Sequence, residues 1–174
     1  FRNCATVGGS LWGRFGFSDV LTMFLALPTE VELYDRGRIS LEEFIESPKD
    51  RDILVNIYVK KLPLACAYVS QRNSATDFPV LACAASLTGD DARTVIGARP
   101  GRALCIGDEK GLLKGFASLN KTEKKKAVEA FAEYAAQTVP TGSNMRGSKE
   151  YRTHLVKVLT RRAWEAVGGM SDEN

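Results

Sequence analysis

The feature that most limits the fold is a run of three strand-like segments followed by two amphipathic helices. The strand-like segments, rich in apolar residues, are 64–70, 80–87 and 92–96. A polar loop at 72–77 and a Gly-Asp-Asp turn at 89–91 separate them, which indicates an antiparallel meander. Helical periodicity follows at 123–138 and 148–167. Strands followed by helices predict an α+β fold, with a three-stranded antiparallel sheet packed on helices.

The segment before Pro63 has a different pattern, in which short helices alternate with short strands. Its predicted elements are a helix at 20–27, a strand at 31–34, a turn at 35–37, a capped helix start at 40–43 and a strand at 53–59. We therefore predict two domains, residues 1–63 and 64–174, with the boundary near Pro63.

Charge, cysteine content and hydropathy exclude several classes of protein. The formal net charge is only +3 and the basic residues are scattered, which argues against nucleic acid binding. The single dense basic run, 124–126, is typical of a solvated helix face. No apolar run approaches the roughly 20 residues that a membrane span needs.

The four cysteines show no metal-binding spacing. None forms a C-x-x-C pair, and the single His154 has no ligand-like neighbour in sequence, so no zinc or iron–sulfur site is predicted within this chain. Cys66 and Cys83 lie in apolar runs. We predict that both are small buried residues of a reduced, cytoplasmic protein.

Four motifs follow one another along the chain. They are RNCATVGGS at 2–10 with Ser-Asp at 18–19, SLEEF at 40–44 with DILVNI at 52–57, Tyr68 with Arg72 and Asp77-Phe78, and RGSKEYRTHLVKVLTRRA at 146–163. Their order and spacing resemble those of the FAD-binding medium subunits of molybdenum hydroxylases, the xanthine dehydrogenase and CO dehydrogenase type of enzyme. The resemblance implies that residues 1–63 are the C-terminal part of an FAD-binding domain. It implies that 64–174 resemble the C-terminal domain of CO dehydrogenase flavoproteins. In the family a glycine-rich phosphate turn precedes this part, and nothing in the chain corresponds to it.

The resemblance places a flavin site at the first motif and at the β run that begins near residue 53. The predicted cofactor-binding residues are Thr6, Val7, Gly8, Gly9, Ser10, Asp19, Ile53 and Leu54. FAD presents phosphates, a ribityl chain and a flat apolar ring. The N–H groups of a glycine turn with positive φ can bind phosphate or ribityl oxygens closely, and the hydroxyls of Thr6 and Ser10 can donate to the same oxygens. Leu54 would supply backbone and apolar contact to the ring.

Several of these assignments have a plainer alternative. Asp19 is expected to accept from a sugar hydroxyl, but it is also suited to capping a helix. Leu54 is equally typical of a core strand, and Arg72 and Asp77 are also suited to a salt bridge within their loop. The chain departs from the family pattern by Ser10 in place of Asn, by Gly16 in place of Pro, and by the lack of a Lys after Tyr68.

The function implied by the resemblance is electron transfer, with no acid–base residue in this chain. FAD would be held by the full-length subunit. The molybdenum cofactor and 2Fe–2S clusters would lie on partner subunits, and electrons would pass to an acceptor such as NAD. Two alternatives stay open: a non-catalytic scaffold subunit of the same fold that has lost FAD, and an unrelated α+β binding module.

Overall fold

A computed structural model describes residues 4–170, so Arg2 and Asn3 of the first motif lie outside the described residues. The helices are α1 Val7–Trp12, α2 Asp19–Ala26, α3 Leu41–Glu46, α4 Lys121–Thr138 and α5 Lys149–Val167, with a short 3-10 turn at Phe116–Ser118. The strands are β1 Thr29–Leu33, β2 Gly37–Ser40, β3 Leu54–Val59, β4 Ala65–Arg72, β5 Pro79–Thr88, β6 Asp91–Gly97 and β7 Leu104–Ile106. The predicted α+β class is confirmed.

The first sheet has three antiparallel strands in the order β2-β1-β3. Val31 of β1 lies opposite Ile39 on one side and Ile57 on the other, so one face of the sheet is apolar. Asp52 closes the sheet at one end, because its carboxylate accepts from the backbone N–H groups of Asp35, Arg36 and Ile53. This fixes the loop that leads into β3.

The second sheet has four antiparallel strands in the order β4-β5-β6-β7, one more than predicted. The additional strand, β7, spans only three residues and pairs with β6 through Cys105 and Val95. Such a short edge strand has no recognisable period of its own in the sequence. The tight turn between β5 and β6 is present, with Gly89 at φ +57°.

The second sheet is covered on both faces, so the two parts of the chain share a core. On one face it packs against α4 and α5, where Trp164 is fully buried and donates from Nε1 to Thr94 Oγ1 at 2.9 Å. On the other face, Ala84 and Val95 pack with α2 and the first sheet. This is why β5 is an almost continuous apolar run rather than an alternating one.

The cysteines divide by exposure. Cys83 lies fully buried on β5, and burial raises the pKa of its thiol to about 12. Cys66 is exposed on the edge strand β4, so the prediction of a second buried thiol there was wrong. Within residues 4–170, no helix combines the length and the apolar character needed to cross a bilayer.

Candidate functional site

The predicted glycine turn at the first motif is the first turn of helix α1. Thr6 is its N-cap, and Thr6 Oγ1 accepts from the backbone N–H of Gly9 at 3.0 Å. Gly8 and Gly9 have ordinary helical backbones and not the positive φ that the turn prediction supposed. The correction has a simple cause: a capping threonine and contacts between α1 and β3 stabilise a helix despite two glycines.

Helix α1 presents polar groups at its start. The N–H groups of Val7 and Gly8 have no acceptor within the helix, because the first turn lacks preceding carbonyls. The Ser10 hydroxyl donates to the carbonyl of Thr6 at 2.9 Å, so its proton is already used. The Thr6 hydroxyl accepts from Gly9 and keeps its own proton free to donate.

The start of strand β3 lies beside helix α1. A Cβ placed on Gly8 would lie 4.0 Å from Cδ2 of Leu54, which puts the start of β3 directly beside α1. Leu54 is half-buried and packs against the core of the first sheet, whereas 63% of Ile53 is exposed beside it. The core-strand interpretation of Leu54 therefore holds in part, whereas its contact with a flavin ring stays a prediction.

Asp19 is held by two side chains of strand β4. Its Oδ2 lies 2.7 Å from Nη2 of Arg72, and its Oδ1 accepts from the Tyr68 hydroxyl. Burial and the hydrogen bond to Asp19 raise the pKa of Tyr68 well above its ordinary value, so the hydroxyl stays a donor. Burial acts to lower the pKa of Arg72, but the bond to Asp19 outweighs it and the pKa is raised.

The capping alternative for Asp19 was wrong. The N-cap of α2 is Ser18, whose hydroxyl oxygen accepts from Leu21 N at 3.2 Å. Asp19 is the first residue of the helix, where a negative charge is favoured by the helix dipole. The Ser18 hydroxyl also lies 3.4 Å from the carbonyl of Ser10, which joins α1 to α2.

The predicted salt bridge between Arg72 and Asp77 is also wrong, because each side chain pairs with a different residue. Arg72 donates from Nη1 to the backbone carbonyl of Asp77 at 2.7 Å and pairs with Asp19 instead. The Asp77 carboxylate pairs with Arg146, with Nη2 2.9 Å from Oδ1. This hydrogen-bonded pair holds the pKa of Asp77 below its ordinary value.

The glycine that replaces the family's proline has a structural reason. A Cβ on Gly16 would lie 1.7 Å from the carbonyl oxygen of Gly101, so the loop before Asp19 approaches the loop after β6 at backbone distance. The carbonyl of Gly16 accepts from Ala98 N at 2.5 Å in the same contact. Any side chain here would push the two loops apart.

Helix α1 thus connects the predicted residues, because it is joined to the N-terminus of α2 through Ser18 and lies beside the start of β3. Tyr68 and Arg72 also contact Asp19, although the sequence indicated them only as part of the third motif. The residues suit a flavin dinucleotide chemically: free N–H groups for oxygens, a held carboxylate for a hydroxyl, and apolar Ile53 and Leu54 for a ring. Their roles in binding stay a prediction.

Two family models match the chain one after the other. Residues 66–167 match the CO dehydrogenase flavoprotein C-terminal domain. Residues 1–62 match the FAD-binding domain in molybdopterin dehydrogenase. The first match alone covers more than half of the chain.

Curated relatives match most of the chain. YgfM of Escherichia coli K12 is 27% identical over 160 residues, which cover 91% of this chain and 56% of that protein. The nicotine 6-hydroxylase medium subunit of Paenarthrobacter nicotinovorans is 28% identical, over 92% of this chain and 60% of that protein. This chain therefore spans somewhat more than half the length of these curated relatives.

Solved structures share the fold. A carbon monoxide dehydrogenase from Hydrogenophaga pseudoflava superposes with a TM-score of 0.78 at 19% identity, over 98% of this chain and 63% of that one. Quinoline 2-oxidoreductase from Pseudomonas putida 86 gives 0.76 at 21% identity, over 97% and 62%. At these identities the superpositions establish the fold alone. The family models show that the chain belongs to the flavoprotein family of CO dehydrogenase and the molybdopterin dehydrogenases.

Proposed function

We propose that the protein is the FAD-binding electron-transfer subunit of a xanthine dehydrogenase-like molybdenum hydroxylase. The observation that carries the proposal is the carboxylate of Asp19, held on both oxygens and next in sequence to Ser18, whose hydroxyl contacts the carbonyl of Ser10 in α1. A carboxylate has about four acceptor positions, and its two protein partners occupy only two. The remaining positions suit two hydroxyls of a ribityl chain or ribose.

The other predicted residues would bind different parts of FAD. The N–H groups of Val7 and Gly8 would donate to phosphate or ribityl oxygens, and the free proton of Thr6 would join them. Ser10 differs from the prediction, because its proton goes to the Thr6 carbonyl and its oxygen remains as an acceptor. The N–H of Gly9 is already bonded to Thr6 Oγ1, so Gly9 would not bind the cofactor through it. Its role would be to leave room for the cofactor, because it has no side chain.

The apolar residues at the start of β3 would position the ring. Ile53 exposes most of its side chain and Leu54 lies beside Gly8, so each offers an apolar contact. When bound, FAD supplies the electron chemistry by accepting and releasing electrons one or two at a time. This chain would hold the ring and exclude water from one side, without a proton-transfer residue of its own.

The proposed partners follow from the electron path. An iron–sulfur subunit would donate to the flavin, a molybdenum-cofactor subunit would oxidise the substrate, and NAD or a similar acceptor would receive the electrons. Association with both subunits would take place in the cytoplasm. In support, the proteins to which this chain is similar include a nicotine 6-hydroxylase medium subunit and carbon monoxide dehydrogenases.

Purification of the gene product from its own host tests this proposal. Native mass spectrometry should show an assembly in which FAD, iron and molybdenum occur together. A protein that carries FAD but never associates with iron or molybdenum would contradict the electron-path proposal.

One observation favours a scaffold subunit without FAD as the second candidate. The chain has Val69 and Ser70 in the region after Tyr68 where the family has a lysine, so one cation that would stabilise a reduced flavin is missing. An assembly with iron and molybdenum but without FAD would select this candidate.

A further inference from the structure

A network of paired side chains, formed by Asp19, Arg72, Asp77 and Arg146, runs from α2 towards helix α5. Arg72 bonds Asp19 with Nη2 and the Asp77 carbonyl with Nη1, both at 2.7 Å. Asp77 in turn bonds Arg146 through Oδ1, at 2.9 Å from Nη2 and 3.2 Å from Nε. Asp19 belongs to the segment matched by the FAD-binding model, whereas the other three residues belong to the segment matched by the C-terminal model.

The Arg146 end of this network is anchored by a buried cation, Arg152. Arg152 on α5 has no exposed surface and, in the part of the chain that the structure describes, no carboxylate partner. It donates to the carbonyls of Val80 at 2.9 Å and Gly142 at 2.8 Å, and to Asn144 Oδ1 at 2.5 Å. The same Asn144 oxygen accepts from Arg146 N at 2.9 Å. The loop that carries Arg146 is therefore fixed to the sheet and to α5.

The Asp19–Arg72 and Asp77–Arg146 pairs are less exposed than most other ion pairs among the described residues, the Arg36–Asp52 pair being the exception. Side-chain exposure is 19–29% for Asp19, Arg72, Asp77 and Arg146, compared with 38% and 46% for the Arg93–Glu42 pair. Lower exposure means weaker screening by water and salt, so the geometry of these pairs constrains their neighbours more strongly.

We infer that Asp77 and Arg146 are positioning residues for the flavin-site carboxylate of Asp19, with Arg152 as their anchor. This inference rests on the proposed function. Arg146 clamps the Asp77 side chain, and the Asp77 carbonyl then holds the second nitrogen of Arg72. Because Arg72 is fixed at both ends of its guanidinium, Asp19 keeps one orientation and its free lone pairs point to one place. The C-terminal segment thereby shapes a site formed by the N-terminal one.

Titration of the apo form of the full-length gene product with FAD tests the inference. Arg146→Gln should raise the Kd for FAD about fivefold, which is the scale of a partly exposed pair. Arg146→Lys keeps the charge and should recover part of the loss. Arg93→Gln is the matched control, because it removes an ion pair between the same two segments away from α1, and the Kd should not change.

A double-mutant cycle separates positioning from general destabilisation. If Arg146 acts through Asp19, Arg146→Gln should have no further effect on the Kd once Asp19 is already alanine. Equal losses in both backgrounds, or a normal Kd for Arg146→Gln alone, would overturn the inference and leave the proposed function standing. A wild-type protein that binds no FAD would overturn the proposed function, and the inference with it.

Discussion

Asp19→Ala is the substitution that distinguishes most clearly between a binding and a structural role at the candidate site. It leaves the Tyr68 hydroxyl and one nitrogen of Arg72 without their acceptor. Because both donors are partly buried, the free energy of unfolding should fall by about 1–3 kcal/mol. If Asp19 also accepts a charged hydrogen bond from a sugar hydroxyl, FAD binding should lose about 1.5–3 kcal/mol, a factor of roughly 10–150 in Kd.

Ser18→Ala is the matched control at the neighbouring position. It removes the cap of α2, which should lower stability by about 1 kcal/mol, and it leaves Asp19 in place. Urea unfolding of the apo protein gives the stability change of each variant, and quenching of FAD fluorescence gives the Kd. The reasoning is refuted if Asp19→Ala loses stability while its Kd remains within about twofold of wild type, since Asp19 would then serve only to join α2 to β4.

Three further outcomes follow from the structure. Gly16→Ala should destabilise the protein by about 3 kcal/mol in urea unfolding because two backbones meet there, whereas Gly107→Ala, with no atom near its added Cβ, should be close to neutral. The pKa of Asp52 is lowered by backbone N–H donors, so its stabilisation is present above pH about 4 and is lost as the pH falls through the lowered pKa. The urea midpoint of Asp52→Asn should thus be lower than that of wild type at pH 7, with the gap closing in acid. Cys66 should react with a thiol reagent in the native state and Cys83 only after unfolding, as mass mapping of the labelled peptides would show.

Patterns of apolar residues predicted the longer elements well. Helices α4 and α5 begin within two residues of their predicted starts, and β4, β5 and β6 all appear where alternation or apolar runs placed them. These elements are long enough for periodicity to be visible. Strands β2 and β7 and helix α1 were missed because four, three and six residues do not establish a period. In α1, two glycines also disfavour a helix until β3 packs against it.

The site could be predicted only in part, since its decisive contacts are long-range. The sequence indicated Asp19 and the residues of α1, but Tyr68 and Arg72 lie 49 and 53 positions away from Asp19. Arg72 of the third motif has several carboxylates within reach of its loop. Asp77, in the same loop, was the simplest partner to predict for it. Only the packing of α2 against β5 and β6 brings Asp19 to β4 instead.

The flavin content of the full-length gene product, expressed alone, is the measurement that tests the central claim most directly. The protein should be purified without added FAD. Its visible flavin absorbance should then be compared with the protein concentration and with the amount of FAD released by heat. We expect a yellow protein with close to one FAD per chain, and a marked loss of that FAD in Asp19→Ala. A colourless, folded protein that also fails to take up FAD on titration would contradict it.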